Sequence, residues 1–274
     1  MKLSNLLLVV VIFTVATMSI GCAAIGQKID DMIEFPALKH LVGTPTHQEV
    51  LVTNNTNFIA EVYCFEEIVA VLWPGETFKG SMEWGNPNQE IPMTVAFYTS
   101  IENYRSSKRV GFAAKDFQHQ EGSQNSTSWE IHTEDIIGSD GRKLVAGTFP
   151  AIINGPRPEE LPKLKTGSVA VIRWPDYLFE DRGIKLVRII NPTNFDVEIF
   201  YNGRQEKLLK AQTMWLLKIE HYYKKPKGHT IIAKVLDGSG NRILDSRSGM
   251  QTFKTTSRNK KISSDLFWIK PPTK

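Results

Sequence analysis

Apolar and polar positions alternate along short stretches of this chain, and the clearest alternation occurs twice. Residues 54–63 read NNTNFIAEVY, and residues 191–200 read NPTNFDVEIF. In each copy an Asn/Thr cluster precedes side chains with a two-residue period, which predicts a half-buried β-strand entered through a turn. One face of the predicted strands carries Phe58, Ala60, Val62 and Cys64 in the first copy and Phe195, Val197, Ile199 and Tyr201 in the second. The other face carries Glu61 and Glu198, which the alternation predicts to be solvent-facing.

The similarity continues beyond these two strands. The same spacing aligns Leu72 with Leu209, Phe78 with Trp215, Glu83 with Glu220 and Thr94–Ala96 with Ile231–Ala233, and two residues of slippage align Trp129 with Trp268. Matches that follow in order along the chain indicate a duplicated unit. The period is too long for a solenoid, whose repeats run roughly 20 to 50 residues, so the unit is a domain. The competing interpretation is a chance match between two generic strands.

Short predicted strands separated by turn signals fill residues 47–133 and 182–271. This spacing predicts an all-β fold with two tandem antiparallel β-sandwich domains from an internal duplication, 47–133 and 182–271. A connection as long as residues 134–181 without structure would be unusual, so we expect additional strands there at Lys143–Phe149 and Ser168–Trp174. The pattern resembles immunoglobulin-like and transthyretin-like β-sandwich modules in general. That resemblance implies no particular function.

The amino end has the features of an export signal. Lys2 supplies a positive charge, and the run Leu6–Met18 is apolar except for threonines and too short for a comfortable membrane span. The Gly21-Cys22 pair that follows resembles the lipobox of bacterial lipoproteins, although Ser19 stands where leucine is usual. The resemblance implies a cleaved signal peptide at 1–21 and lipidation of Cys22, with residues 22–46 as a tether. Cleavage near Ala23 or Ala24 and an uncleaved anchor are the alternatives.

The lipoprotein resemblance also implies a location. A protein whose mature amino terminus carries several acyl chains, palmitate among them, stays attached to a membrane. We therefore expect an exported protein of the cell envelope, on the outer membrane if the host has two, facing the periplasm or the cell surface. Only Cys22 and Cys64 are present, so a lipidated Cys22 leaves Cys64 as a lone thiol. Its place on an apolar strand face predicts a small buried hydrophobe and disfavours a nucleophile or redox centre.

Charge is distributed unevenly between the two predicted domains. Residues 45–133 contain five Lys/Arg and eleven Asp/Glu, a net charge of −6, whereas residues 182–271 contain eighteen and seven, a net of +11. The densest basic clusters are Lys224, Lys225 and Lys227, followed by Arg258, Lys260 and Lys261. These six residues are candidate contacts for an anionic partner. A solvated loop and docking of the basic domain on the acidic one are the competing interpretations, and nucleic acid is not an expected partner of an exported lipoprotein.

The sequence contains no recognisable catalytic constellation. Its six histidines lack metal-ligand spacing, and there is no nucleophile elbow, phosphate-binding loop or dinucleotide fingerprint. The loop at Asp237 begins like a calcium site but has Arg242 where glycine is required. We therefore expect no catalytic residue, metal or cofactor. The indoles Trp73, Trp84, Trp174 and Trp215 fit either a sugar-binding surface or, since Trp215 aligns with Phe78, core positions.

These features favour a non-catalytic interaction or structural module of the cell envelope, held on a membrane by its lipid anchor and contacting a protein or polymer. The first alternative is a lipoprotein that binds a small molecule or oligosaccharide in the cleft between the domains. The second is an enzyme whose site is assembled from scattered residues.

Overall fold

The computed structural model describes residues 47–83, 90–118, 126–147, 157–162, 170–172, 183–221, 228–243, 250–254 and 263–272. Residues 46–274 form one compact unit. The predicted signal peptide, the tether and all six residues of the basic clusters lie outside the described residues.

Strands dominate the described part of the chain. The first nine are β1 (His47–Asn54), β2 (Ile59–Cys64), β3 (Glu67–Leu72), β4 (Thr77–Glu83), β5 (Glu90–Tyr98), β6 (Gly111–Gln118), β7 (Ser126–Ile131), β8 (Ile137–Gly138) and β9 (Ala170–Ile172). The other seven are β10 (Gly183–Asn191), β11 (Val197–Tyr201), β12 (Arg204–Leu209), β13 (Thr213–His221), β14 (Gly228–Val235), β15 (Met250–Lys254) and β16 (Ser263–Trp268). One short helix, α1 (Ile101–Arg105), and a 3₁₀ turn (Thr133–Asp135) interrupt them.

The strands form four sheets. Sheet 1 has the order β7-β1-β4-β9, sheet 2 has β3-β2-β5-β6-β8, sheet 3 has β13-β10-β16 and sheet 4 has β12-β11-β14-β15. The all-β prediction is confirmed. The prediction of purely antiparallel sheets is wrong, because β1 pairs in parallel with β7, β4 with β9 and β10 with β16. The expected connector strand at residues 168–174 appears as the shorter β9. Lys143 makes only an isolated bridge to Ile137.

Three apolar layers hold the four sheets in a stack. The first core joins sheets 1 and 2, with residues such as Val52, Phe97 and Trp129. The second core joins sheets 3 and 4 through residues such as Ile189 and Ile199. A third layer, called here the junction core, contains Ile59, Tyr63, Tyr98 and Phe112 from sheet 2 together with Ile190, Met214, Leu266 and Trp268 from sheet 3. Both faces of sheets 2 and 3 are therefore covered.

The two halves of the stack pair their strands in the same way. Val52 lies opposite Phe78 in β4 and Trp129 in β7, and 137 residues later Ile189 lies opposite Trp215 and Phe267. Phe78 is buried and Trp215 packs on the second core, as predicted. The predicted alignment of Trp129 with Trp268 is wrong by one residue. Phe267 takes the position of Trp129, and Trp268 turns to the junction core.

A second one-residue difference separates β5 from its counterpart β14. Val62 lies opposite Val95, and Ile199 lies opposite Ala233, so Val95 corresponds to Ala233 and not to Ile232 as aligned by spacing alone. A strand that slips by one residue exchanges its two faces. Burial therefore identifies the correct register, because Val95 and Ala233 are both core residues.

The repeated Asn/Thr cluster forms the same hydrogen-bond network in both halves. Asn54 donates its side-chain amide to the carbonyls of Phe58 (2.8 Å) and Leu72 (3.3 Å), and its Oδ1 accepts from the hydroxyl of Thr56 (2.6 Å). Asn191 donates to the carbonyls of Phe195 (2.8 Å) and Lys210 (2.9 Å) and accepts from the hydroxyl of Thr193 (2.7 Å). Both asparagines are fully buried. Each asparagine forms hydrogen bonds with backbone groups at the turn that connects the two sheets of its half. Without the asparagine, these buried backbone groups would lack hydrogen-bond partners.

Candidate functional site

A group of polar side chains lies buried between the two halves and is called here the junction cluster: Glu61, Tyr63, Tyr98 and Arg109. Glu61 and Tyr63 are two residues apart on β2 and so point from the same face of sheet 2. Tyr98 is supplied by the neighbouring strand β5, and Arg109 by the segment before β6. The prediction of a solvent-facing Glu61 is wrong: its exposure is 6%, because sheet 3 covers this face.

The carboxylate of Glu61 is the centre of this cluster. Its Oε2 accepts a hydrogen bond from the Tyr98 hydroxyl at 2.6 Å and another from the Tyr63 hydroxyl. The Arg109 guanidinium lies 3.7 Å from the same oxygen, and its carbon lies 5.6 Å from the centre of the Tyr98 ring. A buried carboxylate needs this many partners because it has left water.

Arg109 also connects the two halves directly. Its Nη1 donates to the carbonyl of Gln212 at 2.9 Å, and its backbone N–H donates to the Gln212 side-chain oxygen at 3.1 Å. Gln212 lies in the turn before β13 with a left-handed backbone, φ 53°. The turn therefore places the backbone and side-chain oxygens of Gln212 next to Arg109. The contact ties the β12–β13 turn of the second half to the first.

Both tyrosines of the cluster are held in the neutral form. Burial, with the hydrogen bond to Glu61 as the next cause, raises the pKa of Tyr63 to about 12. The same two causes, in the same order, raise the pKa of Tyr98 well above its ordinary value. Neutral phenols donate to the Glu61 carboxylate, which is therefore occupied by protein donors. The arrangement binds the sheets together, and it leaves Glu61 poorly placed to act on a substrate.

A second buried cation, Arg188, crosses the same interface from β10. Its guanidinium donates to the Met93 carbonyl at 2.5 Å, to the Thr94 hydroxyl at 3.1 Å and to the Asp116 carboxylate at 2.5 Å. Only 2% of its side chain is exposed. Burial lowers the pKa of Arg188, although the nearby Asp116 acts in the opposite direction. Breaking such a pair leaves an uncompensated charge, so this contact strongly favours one relative position of sheets 2 and 3.

Two cavities border Arg109 at the junction. The smaller, of about 290 Å³, is lined by Tyr63, Phe112, Arg188, Met214 and Trp215 among others. The larger and more open one, of about 540 Å³, is lined by residues that include Asp140, Lys143, Leu144, Asn194 and Gln212. Volumes near 300 to 1,000 Å³ are typical of small-molecule sites. The lining of the smaller cavity combines aromatic residues with a few polar groups, whereas that of the larger one is mostly polar.

The remaining predicted site residues fall into three groups. Cys22, the basic clusters, Trp84 and Trp174 lie outside the described residues. Cys64 is buried, as predicted, and burial raises the pKa of its thiol strongly. Trp73 packs at the edge of the junction core, whereas the Trp215 indole packs on the second core, with the Lys207 ammonium 5.8 Å from its ring centre.

The counterpart of Glu61 in the second half, Glu198, lies on the outer face of sheet 4. It pairs with Arg242 at 2.6 Å, and its side chain is 16% exposed. The carboxylate of Asp237, in the loop that begins like a calcium site, accepts from the backbone N–H groups of Ser239 (2.9 Å) and Asn241 (2.8 Å). Its own turn therefore occupies that carboxylate. Among the described residues, no group of three His, Cys, Asp or Glu side chains is placed to hold a metal ion.

Sequence reasoning missed Tyr98, Arg109, Arg188 and Gln212. A usable signal existed for Arg188, because its neighbours on the same strand face, Leu186 and Ile190, are both apolar. A single charge between apolar residues of one face indicates a covered sheet surface. Arg109 and Gln212 gave no such signal, since each follows a turn and their meeting depends on how the halves pack.

Comparisons with known proteins add no family to this description. No protein-family model matches the chain, and the search of curated proteins finds no match. No helix within the described ranges is long and apolar enough to cross a membrane.

Proposed function

We propose that this protein is an exported lipoprotein, anchored to a membrane through Cys22, that serves as a non-catalytic interaction or structural module of the cell envelope. The observation that carries the proposal is the junction cluster. The side chains of this cluster converge between sheets 2 and 3, and the Glu61 carboxylate accepts from both tyrosine hydroxyls. A module that transmits contact between a membrane and a partner requires halves that do not move independently.

The amino-terminal sequence supports the anchor. Gly21-Cys22 follows an apolar run of the length typical of export signals, and 24 residues separate Cys22 from His47, the first residue of β1. An extended segment spans roughly 3.3 Å per residue, so the tether is long enough to hold the sheets away from the bilayer.

Fatty-acid labelling tests the anchor. In cells supplied with labelled palmitate, the unmodified chain is expected to incorporate label and to sediment with membranes. Cys22→Ser should abolish incorporation, whereas the matched variant Cys64→Ser should retain it. Equal labelling of the unmodified chain and Cys22→Ser would reject lipidation at this residue.

The cavities at the junction favour a second candidate function, binding of a small molecule or oligosaccharide. Tyr63 and Phe112 line the smaller cavity with aromatic side chains, and Arg188 lines it with a cationic one. An aromatic face suits the apolar side of a sugar ring. An oligosaccharide or small metabolite that raises the unfolding temperature would support this function, provided that Met214→Trp, which would fill the cavity, removes the shift. The absence of a shift at millimolar ligand would leave the structural role alone.

We also propose that the two halves arose by duplication of one sandwich unit. The matching strand registers and the two identical Asn/Thr networks support it. Chance resemblance of two generic strands predicts neither a shared register across several ladders nor the same buried side-chain contacts.

A further inference from the structure

Sheets 2 and 4 are counterparts in the two halves, and so are sheets 1 and 3. Inside the molecule, the outer face of sheet 2 is covered by sheet 3. The outer faces of sheets 4 and 1 form the corresponding pair, and they lie at the two ends of the stack. One copy could therefore place its sheet 4 against sheet 1 of a second copy, repeating the internal packing.

The outer face of sheet 4 retains features of the covered face of sheet 2. Glu198, Phe200 and Leu208 occupy the positions of Glu61, Tyr63 and Val71. The Phe200 ring lies under two cations, with the Lys234 ammonium 4.4 Å and the Arg242 guanidinium carbon 5.3 Å from its centre. Leu208 is 43% exposed, which is high for a large apolar residue on a sheet. This face combines an aromatic and apolar surface with positive charge.

The outer face of sheet 1 has the complementary character. Leu51 is its central apolar residue, opposite Lys79 in β4 and Ser128 in β7. Among the side chains that the structure describes, this face carries the carboxylates of Glu49 and Glu130 and the ammonium of Lys79. The outer face of sheet 1 is therefore the more negative of the two and that of sheet 4 the more positive. The net charges of the surrounding segments agree, with −6 for residues 45–133 and +11 for residues 182–271.

Two residues that contact each other inside the molecule have apolar equivalents on the two end faces. Leu51 occupies the position of Arg188, and Ile232 occupies the position of Thr94. Within the molecule, Arg188 donates to the Thr94 hydroxyl at 3.1 Å. If sheet 4 met sheet 1 of another copy in the same geometry, Leu51 would meet Ile232. The polar pair Arg188–Thr94 thus corresponds to the apolar pair Leu51–Ile232. Because both members are apolar, the contact would leave neither face with an unpaired polar group.

We propose that copies of this chain associate head to tail, with the outer face of sheet 4 of one copy docked on the outer face of sheet 1 of the next. The contact is heterologous, so it generates rows or rings of copies and not twofold dimers. Opposite charges on the two faces favour this pairing over contact of sheet 4 with sheet 4, where Lys234 and Arg242 would repel their equivalents. The proposal extends the structural role proposed above.

Cysteine cross-linking in the full-length chain tests this geometry. In the double variant Leu51→Cys, Ile232→Cys, a short bismaleimide should cross-link neighbouring copies, and denaturing gels should show a ladder of dimers, trimers and longer species. Each single variant alone should run as a monomer on these gels, but a mixture of the two single variants should give covalent dimers only. Adding Lys234→Glu to the double variant should reduce the ladder at least several-fold, as should raising the salt concentration.

The matched control replaces Leu51→Cys by Ser106→Cys, at an exposed position after α1. Ser106→Cys with Ile232→Cys should give no ladder. Dimers of Ile232→Cys alone would indicate face-to-face contact through sheet 4 and overturn the proposal. Absence of cross-linking in the double variant, while it still incorporates labelled fatty acid, would overturn the proposal and leave the lipoprotein function intact.

Discussion

Replacement of Asn54 by alanine tests the physical basis of the repeated turn. The side chain is fully buried and makes four hydrogen bonds, to the Phe58 and Leu72 carbonyls and from the Thr56 backbone N–H and hydroxyl. At roughly 1 kcal/mol for each bond, Asn54→Ala should lower the free energy of unfolding by about 4 kcal/mol. With a urea m-value of about 2.5 kcal/mol per M, the unfolding midpoint should fall by roughly 1.6 M.

Two further variants make this measurement decisive. Asn191→Ala removes the equivalent four bonds in the second half and should produce a similar loss. Asn55→Ala is the matched control, because Asn55 is exposed and its side chain makes only a 3.4 Å contact with Glu130. Its stability should stay within about 0.5 kcal/mol of the unmodified chain. Equal urea midpoints for Asn54→Ala and Asn55→Ala would refute the role assigned to the buried network.

Three other predictions follow from burial at single sites. The folded-state pKa of Tyr63 is raised from 10.0 to about 12, so its contribution to stability is complete below pH 10 and is lost as the pH rises through 12. Urea midpoints should therefore fall between pH 10 and 12 less steeply in Tyr63→Phe; an unchanged slope would contradict this. The buried Cys64 thiol should resist Ellman's reagent at pH 8 in folded Cys22→Ser and react once urea unfolds the chain, and rapid labelling of the folded protein would show that it is accessible. Gly111→Ala would place a methyl group against the Ile137 carbonyl and 2.7 Å from Cγ2 of Ile136, which should lower stability by about 1 to 3 kcal/mol, whereas Gly228→Ala, with open space around it, should be nearly neutral in the same urea titration.

Much of the fold could be predicted because strand alternation is a local property. The Phe58–Cys64 alternation correctly identified the face of β2 that lies in the first core, and the Asn/Thr cluster correctly marked the turn before it. The parallel partners β7 and β16 could not be predicted in the same way. Their pairing with β1 and β10 joins residues far apart in sequence, and periodicity does not specify the direction of a neighbouring strand.

The junction cluster could not be predicted from strand alternation for a related reason. Alternation assigns Glu61 to the face opposite Phe58, but it does not say whether that face meets water or another sheet. The neighbours of Glu61 on the same face, Ile59 and Tyr63, belong to the junction core, and their apolar character was the available sign of a covered surface. Arg109 and Gln212 meet only after the halves have packed, so their contact depends on tertiary structure alone.

The parallel pairing of β10 with β16 makes sheet 3 depend on residues far apart along the chain. Sheet 3 reaches its full width only when residues 263–268, close to the carboxyl end, take their place beside β10. Leu266 and Trp268 of that last strand cover part of the Glu61 face. A chain without residues 263–268 would lack this part of the cover over the junction core. Truncation before residue 263 should therefore leave this part of sheet 2 with an open surface.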